Sequence, residues 1–197
     1  MTLEIKTFSG ADAAARFADV ARLRIAVFRD FPYLYAGDLA YEERYLATYA
    51  RSEGSIFVLA IDDGAVVGAS TGTPMAAETE EVTAPFLASG RDPADYFYFG
   101  ESVLLPAYRG RGVGLAFFAA REAQARRLGL RYAAFCAVER PLDHPRRPAD
   151  HMPLDAFWEK RGYRHHPELS TTFTWRDLDE AAESEKPLSF WIKDLAA

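Results

Sequence analysis

Residues 101–118 read Glu-Ser-Val-Leu-Leu-Pro-Ala-Tyr-Arg-Gly-Arg-Gly-Val-Gly-Leu-Ala-Phe-Phe, and they constrain the fold more than any other stretch. An apolar strand closes at Pro106, a glycine-rich turn follows, and a helix begins. The first backbone N–H groups of a helix have no partner within it, and with the macrodipole they attract an anion. Gly110, Gly112 and Gly114 lack a Cβ, so an anion can come close to the main chain. Arg109 and Arg111 add fixed positive charge. A nucleotide P-loop would end in Gly-Lys-Ser/Thr, which Gly114-Leu115 does not supply. A dinucleotide fingerprint would need a small residue where Leu115 stands and an acid near residue 133. The plain alternative is a structural turn that happens to carry arginines.

The spacing Arg109-x-x-Gly112-x-Gly114 resembles the pyrophosphate loop of the GNAT N-acetyltransferase superfamily, Arg/Gln-x-x-Gly-x-Gly/Ala. Pro106 and Tyr108 stand where that family often reads V-x-P-x-Y-R-G-x-G. Further on, Ala156-Phe157-Trp158-Glu159-Lys160-Arg161-Gly162-Tyr163 is similar to the family's later A-x-F-Y-E-K-x-G-F helix. The resemblance runs over nearly the whole chain. It implies one domain over residues 1–197, of mixed α/β (α+β) class. The expected GNAT fold has a twisted, mostly antiparallel sheet of about seven strands flanked by helices and splayed at an acetyl-CoA site.

The remaining sequence fits that element order. Residues 3–8 alternate as a strand, and Ser9 can cap the helix behind them. Phe17, Val20, Leu23, Val27, Phe28 and Phe31 form a helical stripe, which Pro32 ends. An aromatic loop, 31–35, precedes a helix over 42–51. Residues 56–61 and 65–73 form a hairpin about Asp62-Asp63-Gly64. Residues 74–95 are irregular and acidic, with a short helix over 83–88. A long strand, 96–105, leads to the glycine turn. A helix over 112–128, a strand over 131–138, a proline-rich loop over 139–153 and a short helix over 154–160 come next. The strands 170–175 and 187–195 are the last.

Composition excludes several classes. The net charge is −6, which opposes a dedicated nucleic-acid binder. Only Lys6, Lys160, Lys186 and Lys193 are lysines, so arginine dominates the basic residues. That suits phosphate recognition and equally suits a genome-wide bias. Cys136 is the only cysteine, so no internal disulfide is available. The N-terminus has no basic and apolar leader, and no apolar run approaches the ~18 residues of a membrane helix. The expectation is a cytoplasmic chain with no membrane and no nucleic-acid partner. His144, His151, His165 and His166 lack metal-ligand spacing, so no metal is expected.

The resemblance implies specific roles. Backbone of Val103, Leu104 and Leu105 would meet the pantetheine arm of acetyl-CoA. The N–H groups of Arg111, Gly112, Val113 and Gly114, the approach over Gly110 and the Arg109 side chain would hold its pyrophosphate. Phe157 and Trp158 would lie along the cofactor. Glu101 is the expected carboxylate that attracts the ammonium and accepts its proton, directly or through water, and a strand N–H at Leu104 the expected oxyanion donor. For Glu101 the alternative is an exposed carboxylate or a structural ion pair. Tyr33, Tyr35, Glu101 and His144 are the candidate acceptor wall. Many relatives carry a general-acid Tyr where this chain has Trp158, and an indole N–H is no proton donor at neutral pH. Tyr108 and Tyr163 are the phenols left near the motifs. Cys136 reads as a small core residue.

The expected activity is direct acetyl transfer to a primary amine of a small molecule or protein. A catalytically silent CoA-binding module and an enzyme for a longer acyl-CoA are the alternatives. The apolar strand 187–195 suggests an edge through which a homodimer forms.

Overall fold

The structure is a computed structural model that describes residues 3–196; Met1, Thr2 and Ala197 lie outside it. Its centre is one eight-stranded sheet. The strands are β1 (Leu3–Ser9), β2 (Ile56–Asp62), β3 (Ala65–Pro74), β4 (Tyr96–Tyr98), β5 (Ser102–Leu104), β6 (Tyr132–Val138), β7 (Arg164–Trp175) and β8 (Ser184–Asp194). The order is β1-β2-β3-β4-β6-β8-β7, with β5 also on β3. Only β4 and β6 run parallel among these pairings. That pair needs a crossover, which α4 (Val113–Arg127) supplies.

Helices cover both faces. On one face α4 and α5 (Asp155–Glu159) pack their apolar residues, among them Val113, Phe117 and Phe118, on Val58, Phe97, Phe99 and Phe135. On the other, α1 (Phe17–Phe28) and α2 (Leu39–Arg51) cover β2, β3 and β5. Beyond them α3 (Glu80–Ala88) covers the β4, β6, β8 side through Val82 and Phe86. The apolar stripe of residues 17–28 buries Val20, Leu23 and Phe28, as helical spacing requires. Asp38 starts α2 by accepting the Tyr41 N–H at 2.8 Å, an N-cap that satisfies an end donor.

Two readings of the sequence need correction. The strand expected over 96–105 is two strands, so the sheet has eight members. Thr73 faces Tyr98, but Ser70 faces Ser102. Two residues of β3 therefore lie opposite three, Phe99, Gly100 and Glu101, and the extra residue makes a β-bulge. The Gly100 N–H donates to Thr71 O and the Thr71 N–H donates to Glu101 O, each at 3.2 Å. Second, β8 is interior, bonded to β6 on one side and β7 on the other. Its edges are taken, so a second copy cannot pair through it. The expected loop 139–153 is indeed without strand or helix.

Candidate active site

The bulge opens the sheet. The Phe99 N–H donates to Ala134 O at 2.8 Å, and beyond it β5 follows β3 while β6 follows β8. The N–H of Leu105 donates to Val67 O at 3.0 Å. With the Thr71–Glu101 bond this sets the alternation of an antiparallel ladder. Residues 101, 103 and 105 turn their main-chain groups toward β3; Leu104 and Ser102 turn theirs into the split. Of Val103, Leu104 and Leu105, Leu104 is thus the one whose N–H faces the gap.

The glycine turn lies at the same end. Gly110 and Gly112 have φ of 74° and 81°, values that side-chain-bearing residues rarely adopt. A Cβ at either would meet nothing within 4 Å, so glycine is demanded there by conformation. The Ala116 N–H is satisfied by Gly112 O; Val113, Gly114 and Leu115 precede it and lead with free helix N–H groups. Arg109 and Arg111 are exposed around them, and the Arg111 guanidinium lies 5.2 Å from the Tyr108 ring centre. Phe157 closes one side, with its ring edge 3.4 Å from where a Gly114 Cβ would stand. Trp158 packs on Phe135 and Trp191, each ring pair at 5.0 Å. Arg109 to Gly114 therefore gather positive charge and free main-chain donors at the start of α4, with Phe157 beside them.

The sequence reading missed what holds the bulge. Arg121 of α4 is buried and sends one guanidinium N–H to Glu101 O at 3.0 Å, with a longer contact to Thr71 O. It sends another to Ser102 Oγ at 2.8 Å. Its guanidinium lies 4.1 Å from the Phe99 ring centre. Burial pulls its pKa down to about 10, so it stays a cation at neutral pH. The signal was available: Val113, Phe117, Arg121 and Ala125 are spaced by four, which puts the arginine on the buried face.

A bulge also re-aims side chains. Tyr98 and Val103 face α1, α2 and α3, and strict alternation from Tyr98 would turn residue 101 the other way. The extra residue brings Glu101 onto the face covered by α1 and α2, 6% exposed. There Arg24 of α1 reaches it, Nη1 to Oε2 at 2.5 Å, and also bonds Glu42 of α2. Burial works against the Arg24 charge, but Glu101, Tyr45 and Glu42 outweigh it and hold its pKa above the usual value. Glu101 Oε1 and Thr71 Oγ1 are buried without a hydrogen-bond partner among the described residues.

The candidate acceptor wall is partly assembled. Burial raises the Tyr33 pKa, with Cys136 and Glu101 adding to the rise and Arg24 opposing it, so Tyr33 feels the charges of the Arg24–Glu101 pair. Burial raises the Tyr35 pKa, and the Glu42 carboxylate near it adds to the rise. His144 packs on the aromatic loop, its ring 5.7 Å from that of Phe31, and the His151 ring lies 4.7 Å from the same Phe31 ring. The Cys136 thiol meets the Tyr98 hydroxyl at 3.0 Å, and burial pushes its pKa up to about 12. It stays protonated. The Tyr163 hydroxyl donates to Glu122 at 3.1 Å, and burial raises its pKa. The Tyr108 hydroxyl donates to Asp62 at 2.9 Å, which raises its pKa too.

Arg140 pins the aromatic loop to the sheet. It donates to Pro32 O at 2.8 Å and to Tyr33 O at 2.9 Å, and pairs with buried Asp177 at 2.8 Å. The Trp175 indole adds a bond to Tyr33 O at 3.1 Å. Arg140→Met is expected to lower stability by about 1.5–3 kcal/mol, the range for hydrogen bonds to charged groups. The loss is softened because Lys186 remains 3.6 Å from Asp177. Hydrogen exchange checks it: the Ala36 and Leu178 amides, which bond Arg176 O and Leu34 O, should exchange faster than those of β2.

The sequence model of the acetyltransferase (GNAT) family matches residues 22–163. The chain belongs to the GNAT family of acetyltransferases. Solved structures share the GNAT fold along its whole length. A ribosomal-protein-alanine N-acetyltransferase from Brucella melitensis superposes with a TM-score of 0.64 at 15% identity, over 98% of this chain and 99% of that one. A phosphinothricin acetyltransferase from Sinorhizobium meliloti, in complex with AcCoA, gives 0.58 at 15% identity, over 98% and 89%. The PaiA N-acetyltransferase from Thermoplasma acidophilum, in complex with coenzyme A, gives 0.56 at 12% identity, over 98% and 99%. A comparison with curated proteins finds no match. No described helix of this GNAT chain is long and apolar enough to cross a membrane.

Proposed function

We propose that this protein is an acetyl-CoA-dependent N-acetyltransferase acting on a primary amine of a small molecule or a protein. The observation that carries the reading is the buried Glu101 carboxylate at the bulge, turned onto the face where Arg24 lies, with Oε1 lacking a hydrogen-bond partner among the described residues. Buried acceptors without donors are costly, and an ammonium group brings three donors and a positive charge. Neighbours named as N-acetyltransferases, and neighbours in complex with CoA or AcCoA, support both halves of the reading.

The residues fit the cosubstrate. The N–H groups of Arg111, Gly112, Val113 and Gly114 and the Arg109 side chain would hold its pyrophosphate, over Gly110. Leu104 would meet its pantetheine arm, and Phe157 and Trp158 would flank it. When bound, acetyl-CoA supplies an activated acyl group and a thiol leaving group of pKa ~8.5. An alkyl amine of pKa ~10 arrives protonated. Glu101 attracts that ammonium and holds it at the bulge. The Leu104 N–H offers a fixed donor to the oxygen on which negative charge develops. Tyr33 would stand in the acceptor wall.

A second reading, a CoA-binding module without turnover, draws on Trp158, which packs on Phe135 and Trp191 in place of a phenol. One experiment separates them. The protein is incubated with acetyl-CoA and 1,4-diaminobutane, lysine, an aminoglycoside or a peptide with a free N-terminal alanine, and free thiol is followed. Thiol release that depends on one of these amines is expected. Coenzyme A binding with no release from any of them would establish the silent module.

A further inference from the structure

A second carboxylate reaches the bulge from the irregular segment 74–95. Glu78 follows the short 3₁₀ turn Met75–Ala77, and its Oε1 accepts a hydrogen bond from the Tyr49 hydroxyl of α2. That hydroxyl is pressed against the bulge. A Cβ placed on Gly100 would stand 2.5 Å from Tyr49 Oη and 2.7 Å from Thr71 Oγ1. Gly100 precedes Glu101 at the point where the chain, passing from β4 to β5, leaves β6. A buried phenol oxygen beside the bulge is thus wired to a half-buried carboxylate.

The two carboxylates are held differently. Glu101 shares Arg24 with Glu42, so a proton on Glu101 would leave a buried guanidinium short of a counter-ion. Glu78 faces the Tyr49 hydroxyl and the Thr79 amide, with Tyr45, Tyr98, Cys136 and Glu101 around it. Burial raises its pKa, and the bonds from Tyr49 and Thr79 only partly oppose this. Such a carboxylate is better matched to accept a proton near neutral pH than an ordinary one. It is also partly exposed, so it can return the proton to water.

We propose that Glu78 receives the proton which the bound ammonium must lose, and that the Tyr49 hydroxyl carries it there. The inference rests on the N-acetyltransferase reading. One N–H bond of R–NH3+ breaks and its electron pair stays on nitrogen. Tyr49 Oη takes that proton as its own passes along the existing hydrogen bond to Glu78 Oε1. The amine is now neutral, Tyr49 is again a phenol and Glu78 is an acid. The amine nitrogen then bonds the acyl carbon, the C–S bond breaks with its pair going to sulfur, and the second amine proton ends on that sulfur. Glu78 releases its proton to water, so each turnover frees one proton. Tyr49 touches the substrate in this scheme; Glu78 acts through it.

Purified Glu78→Gln, Tyr49→Phe and Glu78→Asp test the relay with whichever amine of the panel is acetylated. Glu78→Gln is expected to lower kcat about 100-fold, within the usual range for general-base removal, with the KM for acetyl-CoA unchanged. The wild-type kcat/KM for the amine should rise with pH through a group titrating above the ordinary carboxylate range. That limb should vanish in Glu78→Gln and Tyr49→Phe and return in part in Glu78→Asp. An unchanged limb and rate in Tyr49→Phe, which keeps the carboxylate and removes one hydroxyl, overturn the relay and leave the N-acetyltransferase reading standing. If no amine is acetylated, that reading fails, and the relay that rests on it falls with it.

Discussion

In a Gly112→Asp variant, coenzyme A binding should fall at least about 100-fold, a loss near 2.7 kcal/mol, while the fold survives. Gly112 is the N-cap of α4 at φ 81°. An L side chain there costs about 1–2 kcal/mol, and Asp is among the residues that bear it best. The new Cβ meets nothing within 4 Å, so no packing is broken. The charge is what matters. A carboxylate about 4 Å from a phosphate is repelled by roughly 4 kcal/mol at an effective dielectric near 20, and it also caps the free N–H groups that would hold the anion. Adding Arg109→Ala removes a fixed cation and deepens the loss. Gly112→Ala is the control, since it keeps the strain and lacks the charge. Its stability should fall at least as much as that of the Asp variant, whereas its coenzyme A affinity should fall much less. Calorimetric titration with coenzyme A, beside urea unfolding, reads both quantities. Intact affinity in Arg109→Ala/Gly112→Asp would remove the pyrophosphate site from this loop.

That loop was legible in the sequence because its physics is local. Positive φ selects glycine, free helix N–H groups select an anion, and both are written within residues 109–115. The helical stripe of residues 17–28 and the hairpin at Asp62-Asp63-Gly64 were legible for the same reason. The bulge was not. Nothing in Phe99-Gly100-Glu101 announces an extra residue, since bulging depends on the register of β3 against both β4 and β5. Glu101 could therefore be named as an acid but not placed on a face. The cluster around it was hidden further, because Arg24, Glu42, Tyr49 and Glu78 come from three separate segments. Arg24 sits inside an apolar helical stripe, between Leu23 and Val27. A cation at such a position points to a buried pair, yet its partners lie 18 and 77 positions along the chain. Strand β8 misled in the opposite way. Its apolar run suggested an exposed edge, and it is apolar because both its faces and both its edges are inside.

Arg24→Met should destabilise the protein by about 3–5 kcal/mol, the loss seen when one member of a buried ion pair is removed. Glu42 is fully buried and Glu101 nearly so, and Arg24 is the cation that both of them contact. Methionine fills most of the volume but leaves two carboxylates facing one another in a poorly solvated place. The guanidinium also rests 4.6 Å from the Tyr45 ring centre and 5.1 Å from that of Phe28, contacts a thioether only partly replaces. The pH dependence gives the mechanism a sign. In the variant each orphaned carboxylate is pushed by burial above its unfolded-state pKa. The penalty is then full above the folded pKa and is relieved as pH falls through it. The deficit against wild type should therefore shrink from about pH 8 to about pH 5. Urea unfolding at the two pH values measures it. Arg24→Met/Glu42→Gln should recover part of the loss at the higher pH, because one of the two stranded charges is gone. A deficit of equal size at both pH values, with no recovery in the double variant, would mean that Arg24 acts through packing and that the Glu101 carboxylate owes its place at the bulge to something other than charge.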